Sequence, residues 1–272
     1  MAALTRDQIE SYRRDGFLFP FPALGEDERL ACLAGLERYE RWLGKPVPQA
    51  DLRWRTQPHA LLPWYANLVC HPRILDVVES LIGPDIALWS SHFIAKPAGT
   101  GKRVPWHEDS AYWGRVLDPM EVVTVWLAID PSTSENGCMK VIPRTHNHGY
   151  SQYEPVKDAG GSVFATEIRK ELFDESKAVD CILEPNHCSI HHAKAIHGSS
   201  ANTSAMRRCG YTMRYVPATS KFRPADGLSA FQIYLARGKD RADNKYGDPT
   251  KPNEQWITAD REVRRKAKLL AG

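Results

Sequence analysis

The first third of the chain spaces its apolar residues with the period of amphipathic helices. Thr5 and Gln8 form a capping-box pattern, and the helix that they begin is expected to end near Gly16. A longer helix is predicted over residues 26–43, where Leu and Tyr recur at helical spacing before a glycine. A third helix is predicted between His71-Pro72 and Gly83-Pro84, with proline in its first turn.

From residue 86 onward the pattern changes to short apolar runs separated by Gly, Pro and Asn, which is typical of strands. Strands are predicted at 86–95, 104–110, 121–130, 137–142, 178–184, 187–193 and 206–216. Short strands at this density after helices favour an antiparallel barrel or jelly roll, mainly β with flanking helices.

Three stretches lie outside these regular patterns. Residues 45–65 are rich in Pro, Trp and Arg and are predicted to be irregular. Residues 144–177 form a long insertion between strands, and insertions of this length are usually lids or binding loops. Gly160-Gly161 is its expected hinge. Polar loops after residue 218 are predicted to lead to a basic helix near 258–270.

A single domain is expected to span residues 1–272, because β barrels and sandwiches often exceed about 200 residues without dividing. Its parts are predicted as a mostly helical preface at 1–84, a jelly-roll core at 85–217 and a C-terminal extension at 218–272.

The charge of the chain argues against a nucleic-acid partner. Its 36 basic and 33 acidic residues give a net charge of only +3, so a small-molecule substrate is expected instead. The six cysteines include no C-x-x-C pair, which disfavours a zinc site and a disulfide framework. With neither a signal-peptide pattern nor an apolar run of about 18 residues, we expect a cytoplasmic protein without a membrane partner. A monomer or homodimer is expected.

His107 and Asp109 are the first candidates for chemistry. They are two residues apart in Pro105-Trp106-His107-Glu108-Asp109, and on a strand this spacing places both side chains on the same face. A distant histidine such as His197 completes the set of two histidines and one carboxylate that non-haem Fe(II) oxygenases use. A hydrogen-bonded His–Asp pair without metal is the alternative interpretation of the spacing alone.

Three motif regions, in order, support the metal interpretation. They are Val104 to Trp113, then Asn136 to Met139 with Ile142 to His146, then His197 to Asn202 with Arg208. Together they resemble the phytanoyl-CoA dioxygenase family, whose members are Fe(II)- and 2-oxoglutarate-dependent oxygenases built on a double-stranded β-helix, the jelly-roll barrel. The resemblance covers about residues 85–217.

The resemblance implies a metal site made of His107, Asp109 and His197, with no other catalytic residue. Fe(II), 2-oxoglutarate as cosubstrate and O2 are the implied cofactors. A carboxylate at position 109 distinguishes the chain from the halogenases of this group, which have Ala or Gly there.

Arg208 is the residue that the resemblance assigns to the distal carboxylate of 2-oxoglutarate, because it follows His197 by 11 residues. A guanidinium suits a carboxylate through paired hydrogen bonds. Ser199 is expected to assist it, and Trp126 to line the same pocket, although a plain core aromatic is the alternative for Trp126. Arg207 points to the opposite face of the strand and is expected to be a solvated surface charge.

Alternation along this strand has a further consequence for the barrel interior. If Arg208 faces inward, so does Arg214, which then either pairs with a protein carboxylate or meets an acidic group of the substrate.

The remaining candidates follow from their positions. Tyr112 and Trp113 lie where the family's pocket wall forms, and His191 is expected to be a pocket residue. Lys96 either faces a cosubstrate or substrate anion or is an exposed loop lysine. His146 and His148 have ligand-like spacing but are expected to close a loop.

The predicted reaction is hydroxylation of a small molecule or natural-product intermediate, with release of succinate and CO2. Desaturation or cyclisation by the same chemistry is one alternative, and a non-catalytic jelly-roll binding protein is another. A cupin-like isomerase or metal hydrolase is a third alternative, but such an enzyme has no use for Arg208.

Overall fold

Helices from the N-terminal third cover one face of a β-sheet in the computed structural model, which describes residues 3–114, 116–223 and 233–250. The helices are α1 (Arg6–Asp15), α2 (Glu26–Leu43), α3 (Leu52–Arg55), α4 (Pro58–Leu61), α5 (Pro63–Val69), α6 (Pro72–Ile82) and α7 (Ser110–Trp113). The predicted basic helix near 258–270 lies outside the described residues. No described helix is long and apolar enough to cross a bilayer.

The three long helices confirm the predictions. Thr5 caps α1 with both hydrogen bonds of the capping box, and the helix ends at Gly16, whose φ of 84° is left-handed. The prediction that residues 45–65 are irregular is wrong, because α3, α4 and the start of α5 lie there. Trp54 and Tyr65 pack from this segment into the main hydrophobic core.

The strands are β1 (Phe17–Pro22), β2 (Ile86–Lys96), β3 (Val104–His107), β4 (Leu117–Asp118), β5 (Val123–Ala128), β6 (Met139–Val141), β7 (Tyr153–Pro155), β8 (Thr166–Ile168), β9 (Val179–Cys181), β10 (His187–His192), β11 (His197–Ser199), β12 (Arg208–Pro217), β13 (Lys221–Phe222) and β14 (Tyr234–Arg237). Within the described residues, one sheet has the strand order β1-β10-β5-β12-β2-β14 and a second has the order β3-β11-β6-β9. Every strand pair is antiparallel, as the jelly-roll prediction requires.

Two edge strands of the larger sheet come from outside the predicted core. Strand β1 belongs to the predicted helical preface and pairs with β10. Strand β14 belongs to the predicted extension and pairs with β2. Neither was predicted as a strand.

Strand β12 divides its side chains between two environments. Cys209, Tyr211, Met213 and Tyr215 point to the outer face of the sheet and pack against the helices in the main hydrophobic core. The intervening residues, including Arg208 and Arg214, lie on the inner face, between the two sheets. The predicted alternation is therefore confirmed, with apolar residues of β12 facing the helices and both arginines facing the inside.

Arg207, just before β12, connects helix α2 to the larger sheet. Its Nε and Nη2 donate to the two carboxylate oxygens of Asp130 at 2.7 and 3.0 Å, and Nη1 donates to Glu40 on α2 at 3.0 Å. The side chain is 27% exposed. The prediction of a solvated surface charge is wrong, since Arg207 is held by two carboxylates.

Arg207→Met leaves both of these partly buried carboxylates without their cation. We expect the free energy of unfolding to fall by about 2 kcal/mol, measured by urea denaturation. Arg144→Met is the matched control, because Arg144 contacts Asp15 at the surface at 3.4 Å and should contribute less than about 0.5 kcal/mol. Equal stability of the two variants contradicts the assignment.

Candidate active site

Three buried side chains converge where the two sheets face each other. The donor atoms of His107, Asp109 and His197 all lie within 4.8 Å of one another. Asp109 Oδ1 is 3.7 Å from His107 Nε2 and 3.9 Å from His197 Nε2. His107 and His197 are directly opposite each other in the β3–β11 pairing, which explains why residues distant in sequence meet.

The chain positions Asp109 differently from the prediction. Strand β3 ends at His107, and Asp109 has helical backbone angles (φ −61°, ψ −34°) at the N-cap of α7. The carboxylate therefore reaches the two imidazoles from a turn after the strand, so the expectation that both residues share one strand face is wrong. His197 lies on β11, a short strand that was not predicted.

Both histidines are held in the tautomer that a metal requires. His107 Nδ1 is 2.8 Å from the Pro105 carbonyl, and His197 Nδ1 is 3.0 Å from the Ala195 carbonyl. A carbonyl only accepts hydrogen bonds, so each Nδ1 carries a proton, and Nε2 is the ring nitrogen that each imidazole, when neutral, offers to a metal.

Electrostatics favour the same ligand set. Burial and the nearby His107 hold the pKa of His197 well below its usual range, which keeps this imidazole neutral. Burial alone raises the pKa of Asp109, but the neighbouring His107, His191, His197 and Arg214 outweigh it and hold that pKa well below its usual range. Two imidazoles and one carboxylate suit a divalent ion such as Fe(II), and the donor set therefore fits the metal.

The second oxygen of Asp109 has two further neighbours. His191 Nε2 and Arg214 Nε each lie 3.8 Å from Oδ2. Both residues, predicted to line the pocket, therefore lie directly beside the metal ligands.

Arg208 lies on the inner face of β12 and is only 2% exposed. Its Nη1 donates to the Gly137 carbonyl at 2.5 Å, and its guanidinium carbon is 5.4 Å from the centre of the Trp126 ring. Burial lowers its pKa to about 10, so the side chain stays charged at neutral pH. Arg208 Nε and Ser199 Oγ are both buried without a hydrogen bond in the described protein, which suits a bound carboxylate.

Gly210 makes room for the Trp126 ring. A Cβ atom at position 210 would lie 2.1 Å from ring atom Cζ2 of Trp126, so any larger residue would displace the ring. The glycine thus allows the tryptophan to lie beside Arg208.

Lys96 is a second buried cation beside Arg208. It pairs with Arg208 across β2 and β12, is 4% exposed and donates a hydrogen bond to the Ser200 carbonyl. The alternative of an exposed loop lysine is wrong. Burial and the neighbouring Arg208 lower the pKa of Lys96 to about 7.

Aromatic side chains surround the metal ligands. Tyr112 and Phe164 lie 6.2 and 5.0 Å from the His107 ring, and they are 45% and 36% exposed. Trp113 lies 5.0 Å from the guanidinium of Arg214. Phe164 was not predicted, because it comes from the long insertion and has no motif of its own.

The insertion 144–177 is held against strand β3. Arg103 pairs with Glu167 at 2.9 Å, and Trp106 packs against Phe173 with ring centres 5.4 Å apart. Its role as a lid with a hinge at Gly160-Gly161 stays a prediction.

His146 and His148 do not join the metal site. His146 Nε2 lies 3.2 Å from the carbonyl of Arg13, at the end of α1. Within the part of the chain that the structure describes, His107, Asp109 and His197 form the one group of three residues that could hold a metal.

Comparison with known proteins identifies the family. The family model for phytanoyl-CoA dioxygenase (PhyH) matches residues 12–210. The chain belongs to the phytanoyl-CoA dioxygenase family. It is an Fe(II)- and 2-oxoglutarate-dependent dioxygenase, as its motifs, ligand set and fold predicted.

Individual members of the family and solved structures agree with this assignment. The chain is 25% identical to the ectoine dioxygenase of Bordetella parapertussis over 246 residues, covering 82% of this chain and 78% of the relative. The peroxisomal phytanoyl-CoA dioxygenase of Bos taurus is 29% identical over 171 residues, covering 60% of this chain and 49% of the relative. The structure of the non-haem monooxygenase ThoJ matches with a TM-score of 0.77 and 28% identity, covering 97% of this chain and 99% of ThoJ.

Asp109→Ala should weaken Fe(II) binding by about 100-fold or more, since changes around metal ligands already cost 10–100-fold. The variant should also lose turnover, because it no longer holds the metal. The measurement is anaerobic Fe(II) titration. Glu108→Gln is the matched control, because Glu108 is equally buried but accepts its hydrogen bond from the backbone of Ser151 at 2.7 Å. Unchanged Fe(II) affinity in Asp109→Ala would rule out the ligand set.

Proposed function

We propose that this dioxygenase hydroxylates a small organic molecule, using 2-oxoglutarate and O2 and releasing succinate and CO2. The observation that carries the proposal is the geometry of the inner face. The three metal ligands and the charged, incompletely bonded Arg208 share one buried interior, as an enzyme with a dianionic cosubstrate requires.

In this proposal His107, Asp109 and His197 hold the Fe(II) ion, which supplies the oxidative chemistry when bound. The protein contributes positioning and the exclusion of water. The carbonyls of Pro105 and Ala195 keep both imidazoles oriented before the metal arrives.

The distal carboxylate of 2-oxoglutarate is assigned to Arg208, with Lys96 and Ser199 as further donors and Trp126 as the wall. Arg208 Nε and Ser199 Oγ gain the hydrogen bonds that they lack within the described protein. Lys96 brings a second positive charge to the same anion.

The substrate is assigned to the other side of the metal ligands. Tyr112, near His107, and Trp113, beside Arg214, are assigned as aromatic contacts, while His191 and Arg214 contribute polar groups beside Asp109. In this assignment the substrate lies next to the metal and contacts none of the metal ligands.

The most direct test is a substrate screen by mass spectrometry with coupled measurement of succinate. Hydroxylation adds one oxygen to the substrate, whereas desaturation or cyclisation removes two hydrogens. A non-catalytic binding protein, an isomerase or a hydrolase consumes no 2-oxoglutarate. The proposal would be refuted if no candidate substrate led to succinate and if the enzyme alone did not consume 2-oxoglutarate even slowly.

Arg208→Ala should raise the apparent KM for 2-oxoglutarate by about 100-fold or more, because a few kcal/mol of charge-assisted bonding is lost. The control is Arg207→Ala, a substitution at the preceding residue. Arg207 faces Asp130 and Glu40, so this variant should lose stability while its KM changes no more than about threefold. The measurement is cosubstrate titration of both variants with one substrate. A large KM effect in Arg207→Ala instead would show that the assigned inner face is wrong.

Lys96 should make cosubstrate binding depend on pH. A bound carboxylate stabilises the charged ammonium and raises its pKa above the value of about 7 in the free protein. The affinity for 2-oxoglutarate should therefore be constant below about pH 7 and fall as the pH rises toward the pKa of the complex.

Lys96→Met should flatten this profile, measured by anaerobic binding between about pH 6 and about pH 9. Lys140→Met serves as the control, because Lys140 pairs with Asp180 at 3.5 Å, away from the inner face. A profile that keeps its slope in Lys96→Met contradicts the role of Lys96.

A further inference from the structure

Arg214 is a buried cation whose hydrogen bonding is incomplete. It is 7% exposed on the inner face of β12. Its Nη1 donates to His92 Nδ1 at 2.8 Å and to Thr212 Oγ1 at 3.1 Å, whereas its Nε is buried with no hydrogen bond in the described protein. Neither His92 nor Thr212 carries a negative charge toward the guanidinium. Burying a guanidinium in this way is unfavourable unless an anion completes its bonding.

Protein carboxylates do not complete it. The one that approaches Arg214 among the described residues is Asp109, at 3.8 Å from Nε, which is longer than a hydrogen bond. Asp109 also belongs to the metal ligand set. The neighbouring buried acid, Glu108, is turned away and accepts a hydrogen bond from the Ser151 backbone.

Counting charges in the loaded site leads to the same conclusion. The two positive charges of Fe(II) and the one of Arg208 are balanced by Asp109 and the two carboxylates of 2-oxoglutarate. Arg214 is then left as an uncompensated positive charge, and protonation of Lys96 would add a second. An anionic group on the substrate offsets the charge of Arg214 in an interior of low dielectric constant.

The Arg214 guanidinium is also held in place. The ring of Trp113 lies 5.0 Å from its central carbon, and Trp89 packs against Trp113 with ring centres 5.1 Å apart. With Nη1 bonded to His92, the side chain has little freedom to turn toward solvent. A guanidinium oriented in advance loses little entropy when it binds a carboxylate.

Apolar surface lies beside another of the metal ligands, His107. Tyr112 and Phe164 lie 5.5 Å apart, and both contact the His107 side of the site. Because both rings are partly exposed, they offer a flat apolar wall to a molecule that enters from solvent. Arg214 instead lies 3.8 Å from Asp109, so the cation and the apolar wall are beside different metal ligands.

We propose that the substrate is an amphiphilic carboxylic acid, whose carboxylate binds Arg214 while its flat apolar part lies against Tyr112 and Phe164. This inference rests on the proposed function, since it concerns the substrate of the same site. It makes Arg214 the residue that determines specificity for an anionic substrate.

The test uses the anaerobic enzyme with Fe(II) and saturating 2-oxoglutarate, so that the cosubstrate already occupies Arg208. The probes are two matched pairs, 3-phenylpropanoate with 3-phenylpropanamide and indole-3-acetate with indole-3-acetamide. Isothermal titration calorimetry should show each acid binding about tenfold or more tightly than its neutral amide. Arg214→Met should bring the ratio close to one, while Arg144→Met, at the surface, should keep it.

Three results would overturn the inference. They are equal affinity of acid and amide, no binding of either acid at about 10 mM, and a preference that persists in Arg214→Met. The acid–amide comparison on the unmodified enzyme decides the matter even if Arg214→Met fails to fold. The visible absorption of the Fe(II)–2-oxoglutarate complex separates the two proposals. If that absorption does not form, the proposed function fails, and if it forms without acid preference, this inference alone fails.

Discussion

The burial of both faces of the larger sheet is the constraint on which the rest of this structure depends. Along β12, outward residues such as Tyr211 and Met213 pack against the helices and supply the apolar burial that stabilises the fold. Since the main hydrophobic core lies outside the sheet, the inner face is free to carry Arg208 and Arg214. A small barrel that relied on its interior for hydrophobic burial could not hold two such cations.

The same strands position both halves of the site. Pairing of β3 with β11 brings His107 opposite His197, and pairing of β2 with β12 brings Lys96 opposite Arg208. A shift of either pairing by one residue would turn these side chains to the wrong face. The ion pairs of Arg207 oppose such a shift in β12, because they hold the preceding residue outside.

Local sequence predicted much of this because the patterns involved are local. The capping residues of α1 and the two-residue period of β12 act over a few positions, and the structure follows both. The turn that takes Asp109 off the strand was missed, since His-x-Asp spacing fits a strand as well as a strand end. Arg207 was misjudged because its partner Glu40 lies 167 residues away in the chain. Phe164 was missed since only folding of the insertion brings it to His107.

The hydrogen bonds from His107 and His197 to backbone carbonyls have a consequence for metal selection. They orient both imidazoles through the protein alone, so little rearrangement is needed when an ion binds. A site prepared in this way does not select iron by shape, and divalent ions follow the Irving–Williams order, in which Ni(II), Cu(II) and Zn(II) bind more tightly than Fe(II). Occupancy by iron then depends on which ions the surroundings supply. Traces of the tighter-binding metals would occupy the ligands and act as inhibitors.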